Sequence, residues 1–151
     1  MMLSDLLCPD SVVVPLHTTS REIAISLLVE ALDLPGSPAD KNELKAAILA
    51  REAAGSTGIG NGVAIPHART TRIAAPRLAI GRSAEPIDFK SADGKPVTLV
   101  FLLAVAAAEP ASHLKVLAAL SRLAADKKLL RLLNRAATPD ELRSLVAGMG
   151  V

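Results

Sequence analysis

Tryptophan and tyrosine are absent, phenylalanine occurs twice (Phe89 and Phe101) and cysteine once (Cys8). Without rings to stack on bases, the chain lacks the platform of a single-strand binder. With 17 Lys and Arg against 15 Asp and Glu, a formal net charge of +2, it also lacks the cationic excess that drives binding to nucleic acid. One cysteine cannot close an internal disulfide, which fits a reducing compartment. The opening Met1-Met-Leu-Ser-Asp-Leu-Leu-Cys-Pro-Asp10 has no basic stretch, and Asp5 interrupts its short apolar run, so no secretory signal is expected. Leu6-Leu7-Cys8 resembles a lipoprotein cleavage site only superficially, for the same reason. The longest apolar stretch, Val97 to Ala108, has 12 residues where a membrane span needs about 20. These gaps lead us to expect a cytoplasmic protein with no membrane insertion and no nucleic-acid partner.

Half of the 151 residues are hydrophobic, which excludes a disordered chain. At this length roughly 68–70% of the unfolded surface can be buried, enough to fold without disulfides or metals. No repeat or linker stands out, so residues 1–151 read as one domain with an aliphatic core. Val12-Val13-Val14 suggests an early strand. Thr19-Ser-Arg-Glu22 reads as a capping box, followed by a helical stripe of Ile23, Leu27, Leu28, Ala31 and Leu32. Pro35-Gly-Ser-Pro38 ends that helix. Asp40 with Glu43 repeats the capping pattern, Leu44, Ala47 and Ile48 form the next stripe, and Gly55 is placed at C′ in the left-handed conformation. Strands are expected at 62–66, 77–83 and 97–106, with a turn at Asp93-Gly94. The near-continuous Val97–Val105 run predicts a central strand covered on both faces. Helices are expected over about 110–124, over 126–135, and from Thr138-Pro-Asp-Glu141 onward. The order of elements gives an α/β or α+β layered domain.

The least ordinary segment is Gly55-Ser-Thr-Gly58-Ile-Gly60-Asn-Gly62-Val-Ala-Ile-Pro66-His67. So many glycines suit a main chain that approaches a ligand closely and offers its amides to an anion. It is not a P-loop, because Asn61 stands where the lysine should be. Nor is it a dinucleotide fingerprint, because a helix precedes it and a strand follows. His67 directly follows Pro66, whose ring restricts the backbone around it, and a neutral imidazole is available near pH 7 as a nucleophile. A surface loop histidine is the alternative.

Arg51 falls at i+7, i+4 and i+3 from Leu44, Ala47 and Ile48, so it is expected to point inward and to need an anion, or else to snorkel at the helix end. His113, in the first turn of the helix after Pro110, could hold an anion there or pack as a core histidine. His17 has no evident partner. The three histidines lack metal-ligand spacing, there is no Gly-x-Ser-x-Gly elbow, and Cys8 is a poor nucleophile.

Together, Gly58-Ile-Gly-Asn-Gly-Val-Ala-Ile-Pro-His67, Arg51 sixteen residues before that histidine, and His113-Leu-Lys-Val-Leu-Ala-Ala-Leu-Ser resemble the fructose/mannitol-type IIA components of the bacterial phosphoenolpyruvate–sugar phosphotransferase system. Leu3-Ser-Asp-Leu-Leu is most similar to the nitrogen-regulatory branch. The resemblance implies a mixed sheet of about five strands with helices on both faces. It also implies that His67 accepts a phosphoryl group from a small histidine-containing phosphocarrier protein, itself charged by an Enzyme I that uses phosphoenolpyruvate. Arg51 and His113 match residues that line the phosphohistidine site, Asn61 is expected at the phosphate, and no cofactor or metal is implied. Ala68 stands where many members have glycine. The expected role is a nitrogen or metabolic regulator whose partners sense phosphorylation; the alternatives are a sugar-specific IIA that passes phosphate to a IIB domain and an interaction module that is never phosphorylated.

Overall fold

The computed structural model describes residues 1–151. A 3₁₀ turn, Leu3–Leu6, leads into β1 (Val12–Leu16), α1 (Arg21–Ala31) and α2 (Pro38–Ala54). Then come β2 (Gly58–Gly60), β3 (Val63–Ala64), β4 (His67–Thr70), β5 (Arg77–Ile87) and β6 (Val97–Ala106), and finally α3 (Pro110–Ala125), α4 (Lys127–Arg135) and α5 (Pro139–Val146). The strands form one mixed sheet in the order β1-β5-β6-β3-β2, with β4 also paired to β6. β5 runs antiparallel to β6, whereas β3 and β4 lie parallel to it on its other side.

β6 is the central strand that its apolar run predicts, and only Thr98 in it escapes full burial. Successive side chains leave a strand on opposite faces. Leu99, Phe101, Leu103 and Val105 therefore pack with α3, α4, α5 and the N-terminal turn. Val100, Leu102, Ala104 and Ala106 pack with α1 and α2. Both phenylalanines are fully buried, one on each side of the sheet.

Several boundaries differ from the sequence reading, each for a local reason. Ser20, not Thr19, caps α1: its Oγ accepts from the Ile23 amide at 3.2 Å, while Thr18 Oγ1 accepts from the Ser20 amide. Glu22 turns to Arg21 instead, and the hydrogen bond from that guanidinium is the main reason its carboxyl pKa is lowered. The buried face of α1 is Ala24, Ile25, Leu28 and Val29, while Ile23 and Leu27 of the expected stripe are exposed. α2, by contrast, starts earlier than expected, with Ser37 as N-cap and the Asp40 carboxylate accepting from the Ser37 amide at 2.7 Å. Its inward stripe is Leu44, Ile48 and Glu52, and Ala47 is exposed. Gly55 ends α2 with φ of 170°, extended and not left-handed.

Of the expected strand at 62–66 only Val63–Ala64 (β3) forms; the chain breaks at Ile65-Pro66 before β4, and with β4 and β2 the sheet reaches six strands. The strand expected at 77–83 continues to Ile87. The Asp93-Gly94 turn forms, with Gly94 at φ +71°, and Thr138 caps α5 by accepting from the Glu141 amide. No helix is long and apolar enough to cross a membrane.

Candidate functional site

The glycine-rich segment is a tightly anchored turn. A Cβ on Gly58 would lie 2.0 Å from Ser91 Oγ and 3.1 Å from Ser91 Cα, so no side chain fits there. Between β2 and β3, Gly60, Asn61 and Gly62 all have positive φ, which asparagine tolerates better than other side-chain-bearing residues. Beneath the turn sits Glu52, only 3% exposed. Its carboxylate accepts from the Thr57 amide at 3.1 Å and from Thr57 Oγ1, with the Arg21 guanidinium 3.9 Å away.

These bonds change the role foreseen for the loop. The amides of Thr57, Gly58, Asn61 and Ile65 donate respectively to Glu52, Ser56 Oγ, Asp93 Oδ2 and the Thr57 carbonyl. They are committed within the protein and form no open anion nest. Asn61 belongs to the same anchoring: its Nδ2 donates to the Ala124 carbonyl at the end of α3, 2.9 Å away. It does not line the cavity in which the other three residues meet.

That cavity, about 270 Å³, is bordered by Arg51, His67, Ala68, Arg69, Val105 and His113. His67 opens β4 opposite Leu103 of β6. Its Nδ1 lies 2.8 Å from the Ile65 carbonyl. A carbonyl oxygen can only accept, so Nδ1 carries the proton, and in the neutral ring Nε2 is left with its lone pair free. His113 enters from the first turn of α3, with ring centroids 6.0 Å apart and planes 35° inclined. Its buried Nδ1 has no hydrogen-bond partner. Burial, then the charges of His67 and Arg69, hold its pKa below the usual histidine value, against a weaker opposing effect of the Pro110 backbone. His113 is thus kept neutral over a wider range than a free histidine.

Arg51 does reach this cavity, but not by pointing into the core. It is exposed, because the α2 register turns Glu52 inward. Its Nη1 donates to the Gly55 carbonyl at 2.7 Å, closing the helix end, where the dipole favours a cation. Arg69 is the residue the sequence reading missed. It stands two positions after His67 in β4, hence on the same face of the strand. The signal is the His67-Ala-Arg69 alternation, which is legible only when a strand continues past Pro66. Ala68, between them, packs against the core on the α1–α2 side, so the methyl group is accommodated.

The remaining candidates lie apart. His17 is exposed beside Thr18, Thr19 and Glu85. Cys8 Sγ faces the Ala31 carbonyl at 3.7 Å. No three His, Cys, Asp or Glu side chains gather as metal ligands. Two guanidiniums and two imidazoles around one cavity, with no carboxylate among its lining residues, describe a receptor for an anion.

Residues 5–148 match the family model described as phosphoenolpyruvate-dependent sugar phosphotransferase system, EIIA 2. The chain is 35% identical over 146 residues to the fructose-specific EIIABC component of Bacillus subtilis, covering 97% of this chain and 23% of that relative's length. It is 34% identical over 148 residues to a nitrogen regulatory protein of Bradyrhizobium diazoefficiens, covering 97% of this chain and 95% of the relative. Among solved structures, the nitrogen regulatory protein IIA-Ntr of Neisseria meningitidis superposes with a TM-score of 0.87 at 29% identity, over 95% of this chain and 98% of that one. The anion-receptive cavity and the glycine-anchored histidine therefore sit in a chain that belongs to the EIIA type 2 family of the phosphoenolpyruvate-dependent sugar phosphotransferase system.

Proposed function

We propose that residues 1–151 act as one IIA unit in the cytoplasm, accepting a phosphoryl group on His67 Nε2 from the phosphohistidine of a small carrier protein. The observation that carries this reading is the Nδ1 bond to the Ile65 carbonyl, which frees Nε2 in a cavity of cations. In the transfer, the donor's P–N bond breaks, its imidazole leaves with the electron pair, and the bond from phosphorus to Nε2 forms. The ring gains positive charge, which the Ile65 carbonyl stabilises through Nδ1–H. Arg51, His113 and Arg69 contact phosphoryl oxygens. Phosphoryl transfer depends chiefly on such positioning and charge stabilisation. Each hydrogen bond to a charged group contributes about 1.5–3 kcal/mol, so a few hold the group without trapping it.

Mass spectrometry after incubation with phosphoenolpyruvate, Enzyme I and the carrier tests this directly. The protein gains acid-labile phosphate, His67→Ala gains none, and Arg51→Ala is labelled about tenfold more slowly, the loss of one charged hydrogen bond. Normal labelling of His67→Ala would end the proposal.

We assign the protein a regulatory role, supported by similarity over nearly the whole length of the Bradyrhizobium regulator. Phosphate adds about −1.5 to −2 charge, comparable to the chain's formal +2, and so reverses the local field that a partner protein meets at His67. Similarity to the fructose-specific component supports a second reading, in which phosphate passes to a IIB domain. Transfer from the labelled protein to an added IIB domain, with sugar consuming the label, separates the two. An unphosphorylated module is disfavoured, because such a module has no use for a free Nε2 among cations.

A further inference from the structure

A cavity of about 470 Å³, larger than the one at His67, lies between α4 and α5 and is lined by Leu132, Arg135, Ala136, Glu141, Ser144 and Leu145, with the Glu141 carboxylate engaged by the Ala137 amide at 2.8 Å. Leu132, 43% exposed, is the one large apolar side chain of these helices open to solvent. Beside it the cations gather. Lys127, Arg131 and Arg135 follow one another at i, i+4 and i+8 along α4, Lys128 lies on the same arc, and Arg122 precedes them in the last turn of α3. All five are exposed and none forms an ion pair.

The charge is segregated as well as dense. Residues 122–135 hold five of the seventeen Lys and Arg but only Asp126 of the fifteen acids, leaving twelve cations against fourteen anions in the rest of the chain. Asp126 is occupied as the cap of α4. Like charges at i, i+4 destabilise a helix, and here no carboxylate of the protein, Glu141 of the slot included, comes within ion-pair distance of them.

We infer that the α4–α5 slot docks an acidic amphipathic helix of a protein partner, its apolar side chains entering the slot beside Leu132 and Leu145 and its carboxylates facing Lys127, Lys128, Arg131 and Arg135. A helix laid into a groove uses this combination of apolar anchors and flanking charge. A bilayer would meet recessed apolar surface and one protruding leucine, and a nucleic acid would meet no aromatic side chain to stack on. The slot shares no lining residue with the His67 cavity. Binding here therefore leaves the His67 cavity open, and the inference does not depend on the phosphoryl-acceptor reading.

The test is fluorescence anisotropy on the full chain with a fluorescein-labelled peptide of leucine and glutamate in helical amphipathic order. A peptide of the same composition in scrambled order, phosphatidylglycerol vesicles and a single-stranded RNA oligonucleotide complete the series. The ordered peptide binds, at least fivefold tighter than the scrambled one. Binding weakens at least tenfold in the Arg131→Glu/Arg135→Glu protein and severalfold in Leu132→Ser, both checked by circular dichroism for an intact fold. The inference is overturned by no binding of the ordered peptide, by equal binding of the two peptides, or by variants that bind like the parent. Tighter binding to vesicles or RNA than to the peptide overturns it as well. So does concentration-dependent dimerisation that the charge reversal abolishes, which would give the surface to a second copy.

Discussion

Two polar clusters flank the glycine-rich segment, and they are built on opposite rules. Around Glu52, each donor has its acceptor: the Thr57 amide and hydroxyl meet the carboxylate, and Arg21 balances the charge. Around His67, the groups stay open: Nε2 of His67 is free, Nδ1 of His113 has no partner, and the guanidiniums of Arg51 and Arg69 border a cavity without an acid among its lining residues. A buried polar group costs free energy unless it is paired. A protein therefore completes the bonds of a cluster that serves only its stability. The incomplete cluster is the one we propose to receive the phosphoryl group.

This contrast predicts where substitutions will register. Glu52→Ala has the largest expected effect on stability, about 3 kcal/mol in urea denaturation, because the buried donors of Thr57 lose their acceptor. If instead the loss is no greater than for exposed alanine substitutions, the cluster is not an anchor. Gly58→Ala comes next, at roughly 1–3 kcal/mol, since its methyl group must displace Ser91. Its effect on phosphate labelling should track the loss of fold. His67→Ala sharpens the comparison from the other side: with labelling gone, stability should stay within about 0.5 kcal/mol of the parent.

The smallest effect is electrostatic. Since the pKa of His113 is lowered in the folded state, the unfolded chain binds more protons there, and stability rises with pH until the unfolded histidine, near pH 6.5, has itself titrated. NMR titration of the imidazole should give a midpoint below that of free histidine. Arg69→Gln should move it upward only in part, because burial is the larger cause. No movement would remove Arg69 from the field of the site.

Much of this was legible beforehand because it depends on local chemistry. The near-continuous apolar run of β6 specified a strand covered on both faces, and Thr138-Pro-Asp-Glu141 specified the start of α5. The cap residues slipped where neighbours of similar chemistry compete: Thr18, Thr19 and Ser20 can all accept from an amide, and only the packing of Ile25 and Leu28 selects Ser20. In the site, His67 and His113 stood out by their neighbours and Arg51 by its place on α2. Glu52 did not, because a glutamate in sequence looks the same whether solvated or buried, and Arg69 did not, because its place beside His67 depends on a strand that continues past Pro66.

The amino-acid sequence by itself determined the aliphatic layered core, the glycine-rich turn and the presence of a histidine fixed by proline. These follow from hydrophobic periodicity and backbone stereochemistry, which act over a few residues. Only the tertiary structure decided which amides the loop keeps for itself, that Arg51 closes a helix as it borders the cavity, and that Arg69 and His113 meet His67. Those outcomes depend on register between segments far apart in the chain, where a shift of one residue along α2 or β4 turns a side chain to a different face.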